Sequence, residues 1–97
     1  MAMHNPPHPG EFIRSVYLEP FGMSARALAE NLAVAPSTLN RVITGKSGIS
    51  PDMALRLSKA LGRSAESWLA MQDHYDLWQA MQRVELDQVR HIKFAVA

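Results

Sequence analysis

Apolar positions along this chain recur at helical spacing, and Pro, Gly and small polar residues interrupt them often enough to mark out five predicted helices. Pro9 can open the first, since a first helical residue leaves its N–H unused, and Glu11 complements the positive end of the helix dipole. Phe12, Ile13, Val16 and Tyr17 form its apolar stripe, and Glu19-Pro20-Phe21-Gly22 ends it. Phe21 and Met23 are expected to tuck into the core. Ser24 is a good N-cap for a second helix over 25–32, with Leu28 and Leu32 on one face. Ala33-Val34-Ala35 breaks that pattern, and Pro36 opens a third helix with Leu39, Val42 and Ile43 at i, i+3, i+4. Its other side carries Ser37, Thr38, Asn40, Arg41 and Thr44.

The glycines of Gly45-Lys46-Ser47-Gly48 permit a loop, and Ile49 anchors it. Ser50-Pro51-Asp52 starts a fourth helix, whose Met53, Leu57, Ala60 and Leu61 share a face; Gly62 stops it. Ser64 caps a fifth, expected to run to about Arg83, with Trp68, Met71, Tyr75 and Trp78 at i, i+3, i+7, i+10. In the last segment Ile92, Phe94 and Val96 alternate with Lys93 and Ala95, a weak strand pattern without a partner strand. The expected organisation is all-α: an irregular arm over 1–8, a five-helix domain over 9–83 and a short tail over 84–97.

With 97 residues, 47% of them hydrophobic, the chain suits one domain with one modest core. It has no Cys, which excludes disulfides and thiolate chemistry. No apolar run approaches the roughly 20 residues of a membrane span. The first residues, MAMHNPPHPG, lack the basic and apolar regions of a signal peptide, so a cytoplasmic protein without membrane partners is expected. The net charge of +1 hides an asymmetry: residues 1–63 carry +3 and residues 64–97 carry −2. A basic front and an acidic back suit one anionic partner and one different partner.

Catalysis finds little support. None of His4, His8, His74 and His91 stands with Cys, Asp or Glu at a recognisable metal-ligand spacing. There is no phosphate-binding Gly loop and no Ser/His/Asp arrangement. Neither metal nor cofactor nor enzymatic activity is expected.

The segment SARALAENLAVAPSTLNRVITG (24–45) resembles the helix-turn-helix of the phage-repressor, Xre-like DNA-binding family. Ala29 is small where the helices would cross, and Leu28, Leu32, Val34, Leu39 and Val42 fall where the family buries apolar groups. One departure is Ala33, where the family usually has Gly in a left-handed turn; a side chain there costs on the order of 1–2 kcal/mol. The closer resemblance is to the HigA (VapI-like) antitoxins. It rests on Pro7-His8-Pro9-Gly10-Glu11, on Leu18-Glu19-Pro20-Phe21-Gly22-Met23-Ser24, and on Ser64 to Leu69 with Met71-Gln72 and Tyr75-Asp76-Leu77. It covers roughly residues 6–82.

The resemblance implies a five-helix bundle that dimerises on a palindromic double-stranded operator, a small mRNA-cleaving toxin as partner, and repression of the operon encoding both. The second helix of the motif then enters the major groove. Ser37, Thr38, Asn40, Arg41 and Thr44 would face bases, and Lys46, Ser47 and neighbouring N–H groups would lie beside the DNA backbone. The dimer contact is expected on the fifth helix, at Trp78 and Met81. Asp73, Asp76, Glu85 and Asp87 offer charge to a basic toxin, and Ile92 and Phe94 could add a strand to it. A stand-alone repressor of the same fold and a protein-binding helical adaptor are the alternatives.

Overall fold

The structure is a computed structural model that describes residues 5–95. Five α-helices appear in the predicted order: α1 (Pro9–Ile13), α2 (Ala25–Leu32), α3 (Pro36–Ile43), α4 (Pro51–Leu61) and α5 (Ala65–Arg83). No strand occurs among the described residues. The caps are the expected ones. Ser24, Ser50 and Ser64 each accept an N–H of the first turn, at 3.1 Å, from Ala27, Met53 and Ser67. Pro9, Pro36 and Pro51 open their helices.

α1 continues into a π-helical segment, Arg14–Leu18. That widening changes which residues face inward. Ile13 and Leu18, five apart, are both buried, whereas Val16 is 40% exposed and leaves the predicted stripe. A five-residue spacing shares a face only when the turn is wider than α-helical. Phe21 and Met23 are also exposed, Phe21 by 76%, and do not reach the core. The chain has already turned outward: the N–H of Met23 closes onto the Leu18 carbonyl at 2.9 Å and Gly22 adopts φ +60°. Ala60, expected inside, is exposed; Ala54 is buried in its place, one residue after Met53. Met23 and Ala60 line an open groove between α2 and α4 with Leu28 and Leu55.

The core gathers Ile13, Leu18, Leu28, Ala29, Leu32, Leu39, Val42, Ile49, Met53, Ala54, Leu57 and Trp68. α5 packs on α4 and α1, α2 on α3 and α4, and α1 on α3. Trp68 is fully buried, with the Phe12 ring edge-on at 5.9 Å and Tyr17 at 6.2 Å. The Arg63 guanidinium lies over the Phe12 ring at 5.2 Å.

Ala33 does occupy the left-handed region, at φ 59° and ψ 42°. Arg56 of α4 holds this turn. Its Nη1 donates to the carbonyls of Leu32 (2.9 Å) and Ala33 (3.1 Å), while its Nε donates to Asp52 at 2.6 Å. The guanidinium satisfies carbonyls that the end of α2 leaves without partners. Hydrogen bonds to charged groups contribute about 1.5–3 kcal/mol. Arg56→Ala is therefore expected to lower the urea-unfolding free energy by about 2 kcal/mol; an unchanged midpoint would mean that water serves the turn equally well.

Candidate nucleic-acid interface

α3 has two unlike faces. Leu39 and Val42 are buried, and Ser37, Thr38, Asn40, Arg41 and Thr44 are exposed. Lys46 is exposed and Ser47 half-buried in the loop that follows. The exposed set brings hydroxyls, a carboxamide and a guanidinium onto one convex helix, as the sequence suggests. Two details differ. The Thr44 hydroxyl donates to the Asn40 carbonyl of its own helix at 2.8 Å. The N–H groups of Gly45, Lys46 and Ser47 are engaged within the chain: those of Lys46 and Ser47 both donate to the Arg41 carbonyl, at 2.8 and 3.0 Å, and that of Gly45 donates to the Val42 carbonyl at 3.1 Å. These amides close the end of α3, so Lys46 offers an anion its side chain rather than its backbone N–H.

What seats α3 comes largely from outside the motif. Gly10 lies against its last turn so closely that a Cβ there would stand 2.7 Å from Ile43 Cα and would overlap the Val42 carbonyl. His8 caps α1: its Nδ1 accepts the Gly10 N–H at 2.9 Å. The same ring meets Tyr75 of α5 edge-on at 4.9 Å and lies 3.9 Å from where a Gly45 side chain would begin. One imidazole thus touches α1, the α3–α4 loop and α5. On the other side of the loop, buried Gln72 accepts the Ile49 N–H at 2.8 Å.

Burial holds the His8 ring below its ordinary value of 6.5, against the opposing pull of the Asp76 charge and hydrogen bonding to the Ser47 backbone. Protonation would remove the acceptor that caps α1. The folded state favours the neutral ring, so this contribution is complete above about pH 6.5 and is lost as pH falls toward the lower folded value. Asp76, Glu11 and Tyr75 are the other titratable groups beside His8. His8→Asn keeps a capping acceptor without titrating there. The melting temperature should fall more between pH 7 and pH 5 in the unaltered chain than in His8→Asn; parallel curves would contradict the assignment.

The acidic half presents a second surface. Asp73, Asp76, Leu77 and Met81 on α5 are exposed, and Trp78 is half-buried. Beyond Val84 the tail is exposed and irregular, with one turn in which the Val89 N–H donates to the Leu86 carbonyl at 2.9 Å, and its Leu86, Val89, Ile92 and Phe94 face solvent. Ile92 and Phe94 form no strand in the single chain; Val96 and His4 lie outside the described residues. No group of three metal-binding side chains occurs among the described residues, and no described helix is long and apolar enough to cross a membrane.

The Helix-turn-helix family model matches residues 16–68, more than half of the chain. Virulence-associated protein I of Dichelobacter nodosus is 51% identical over 75 residues, covering 77% of this chain and 69% of that protein. The Pseudomonas aeruginosa antitoxin HigA, solved with its higBA promoter, is 40% identical over 79% of this chain and 84% of its own, with a TM-score of 0.76. The chain belongs to the HigA (VapI-like) branch of the helix-turn-helix family. The antitoxin GraA in complex with its operator covers all of this chain and 98% of its own at 38% identity, with a TM-score of 0.82. The likeness to this structure therefore reaches past the motif into α5 and the tail.

Gly10, His8, Arg56 and Gln72 are the residues that sequence reasoning missed as parts of the site. A signal existed for two. Gln72 follows Trp68 by four and precedes Tyr75 by three, so it falls in the inward stripe where a polar residue needs a partner. His8 directly precedes a helix-opening Pro, the capping position.

Proposed function

We propose that this chain is a non-enzymatic, sequence-specific DNA-binding antitoxin that acts in the cytoplasm as a homodimer, represses its own operon and neutralises a basic, mRNA-cleaving toxin. The observation that carries this reading is the two-faced α3, buried through Leu39 and Val42 and polar through Ser37, Thr38, Asn40 and Arg41, in a chain 38–40% identical to antitoxins solved on operator or promoter DNA. Asn pairs with adenine and Arg with guanine through two-point contacts in the major groove, and Thr44 completes that face. Lys46 and Ser47 flank it at the phosphates. The DNA-binding unit is 9–83; 1–8 and 84–97 are its appendages. Trp78 and Met81 form the two-fold contact. Asp73, Asp76, Ile92 and Phe94 meet the toxin, whose own phosphate-binding surface must be basic. The exposed apolar tail favours the antitoxin over a stand-alone repressor, because a repressor alone leaves Leu86, Val89, Ile92 and Phe94 uncovered.

The test is a titration of the unaltered chain and Lys46→Ala against an operator duplex and a scrambled one, over a range of salt. Lys46→Ala is expected to bind both more weakly by the same factor. Its log–log salt dependence should be shallower by about 0.9 for each phosphate that is no longer neutralised. An unchanged slope would remove Lys46 from the interface.

A further inference from the structure

A line of hydrogen bonds runs from the surface of α5 into the α3–α4 loop. Asp76 is exposed, and its Oδ1 accepts from Gln72 Nε2 at 2.9 Å. Gln72 is buried, and its Oε1 accepts from the Ile49 N–H at 2.8 Å. Gly48 lies so close to that amide that a Cβ on it would sit 2.9 Å from Gln72 Cδ. Loop and amide therefore position each other with little slack.

A carboxamide has an acceptor end and a donor end, and the buried site admits only one orientation. Turned over, its NH2 would face the Ile49 N–H, donor against donor. A carboxylate is acceptor-only when ionised, so Asp76 draws the NH2 end outward and leaves Oε1 for Ile49. We infer that Asp76 is a positioning residue for DNA binding: by orienting Gln72 it fixes the loop 45–49 that carries Lys46. This rests on the DNA-binding reading above and adds to it, since Asp76 acts there without touching DNA. It also gives Asp76 a task separate from any contact with a toxin.

The inference has a sign that simple electrostatics does not share. Removing an acid raises the net charge of the chain from +1 to +2, which by itself tightens binding to a polyanion. If Asp76 positions the loop, Asp76→Ala must weaken binding instead. Asp76→Asn loses the same charge but keeps a carbonyl acceptor for Gln72 Nε2. Asp73→Ala removes a neighbouring exposed acid that lacks this hydrogen bond.

The experiment uses the full chain at pH 8, where His8 is neutral. A duplex is first selected from a random pool by the unaltered chain, and the affinities of the three variants for it are measured. Amide hydrogen exchange at Ile49 is followed in each. Asp76→Ala should bind roughly three- to tenfold more weakly, as expected for one hydrogen bond, with a shallower salt dependence and faster exchange at Ile49. Asp76→Asn and Asp73→Ala should bind at least as tightly as the unaltered chain, with Ile49 still protected. Binding by Asp76→Ala as tight as or tighter than the unaltered chain would overturn the inference, as would equal weakening in Asp76→Ala and Asp76→Asn. Failure of the unaltered chain to select any duplex would remove the DNA-binding reading itself, and the inference with it. Should Asp76→Ala unfold, Asp76→Asn and the Ile49 exchange rate decide: deprotection in Asp76→Asn would overturn it, and protection would support it.

Discussion

Gly10→Ala should be the most damaging single methyl group that can be added to this chain. Two effects compete. Ala is a better helix former than Gly by about 1 kcal/mol, and Gly10 sits inside α1, so local propensity favours the substitution. Against this, the new Cβ would stand 2.7 Å from Ile43 Cα and 2.8 Å from the Val42 carbonyl carbon, with the oxygen nearer still. All three are backbone atoms of α3, which cannot swing aside as a side chain does. Overpacking a tight site costs about 1–3 kcal/mol and more where backbone must move. We expect a net loss of about 3 kcal/mol or more, a large part of the stability of so small a domain. Urea unfolding followed by circular dichroism measures it. A midpoint equal to or above that of the unaltered chain would mean that α1 does not seat against α3 as described.

Asn40→Ala/Arg41→Ala should have the largest effect on function and almost none on stability. Both side chains are exposed, and Ala suits a helix at least as well, so the melting temperature should stay or rise. In the groove, each two-point pair is worth roughly 1–3 kcal/mol, and a two-fold dimer makes each pair twice. Even the lower figures come to about 4 kcal/mol, which matches the lower end of the roughly 4–10 kcal/mol that separates specific from non-specific binding. Operator affinity should fall by roughly a thousandfold, to the level of a scrambled duplex, whose own affinity changes little. Gel shifts of both duplexes with the folded variant check this. A loss below tenfold would place base reading elsewhere on the chain.

Much of this fold is legible from short-range chemistry. Ser24, Ser50 and Ser64 cap because a Ser before a helix-forming run satisfies a free N–H wherever the rest of the chain goes. The break between two helical patterns makes a turn at 33–35 legible, but the left-handed conformation of Ala33 comes only with the family resemblance, which puts Gly there. Apolar character and periodicity place Val16, Phe21, Met23 and Ala60 inward, because periodicity assumes a regular α-helix and ends at its last turn. The wider turn at Arg14–Leu18 violates the first assumption. The supports of α3 are legible only in three dimensions. Gly10 matters through two residues more than thirty positions away, and Gln72 through an amide 23 positions earlier. The engaged N–H groups of Lys46 and Ser47 follow from how the end of α3 closes, which residue types alone do not reveal.

The proposed reading of DNA by α3 as a two-fold dimer is tested most directly by selecting duplexes from a random pool with the purified chain and sequencing what is retained. The account predicts an inverted repeat whose half-site centres lie about 10 base pairs apart, or a multiple of that, on one face of the duplex. It further predicts that the same selection with Asn40→Ala/Arg41→Ala retains no common sequence. A pool that stays random with the unaltered chain, or an enriched site that lacks two-fold symmetry, would contradict it.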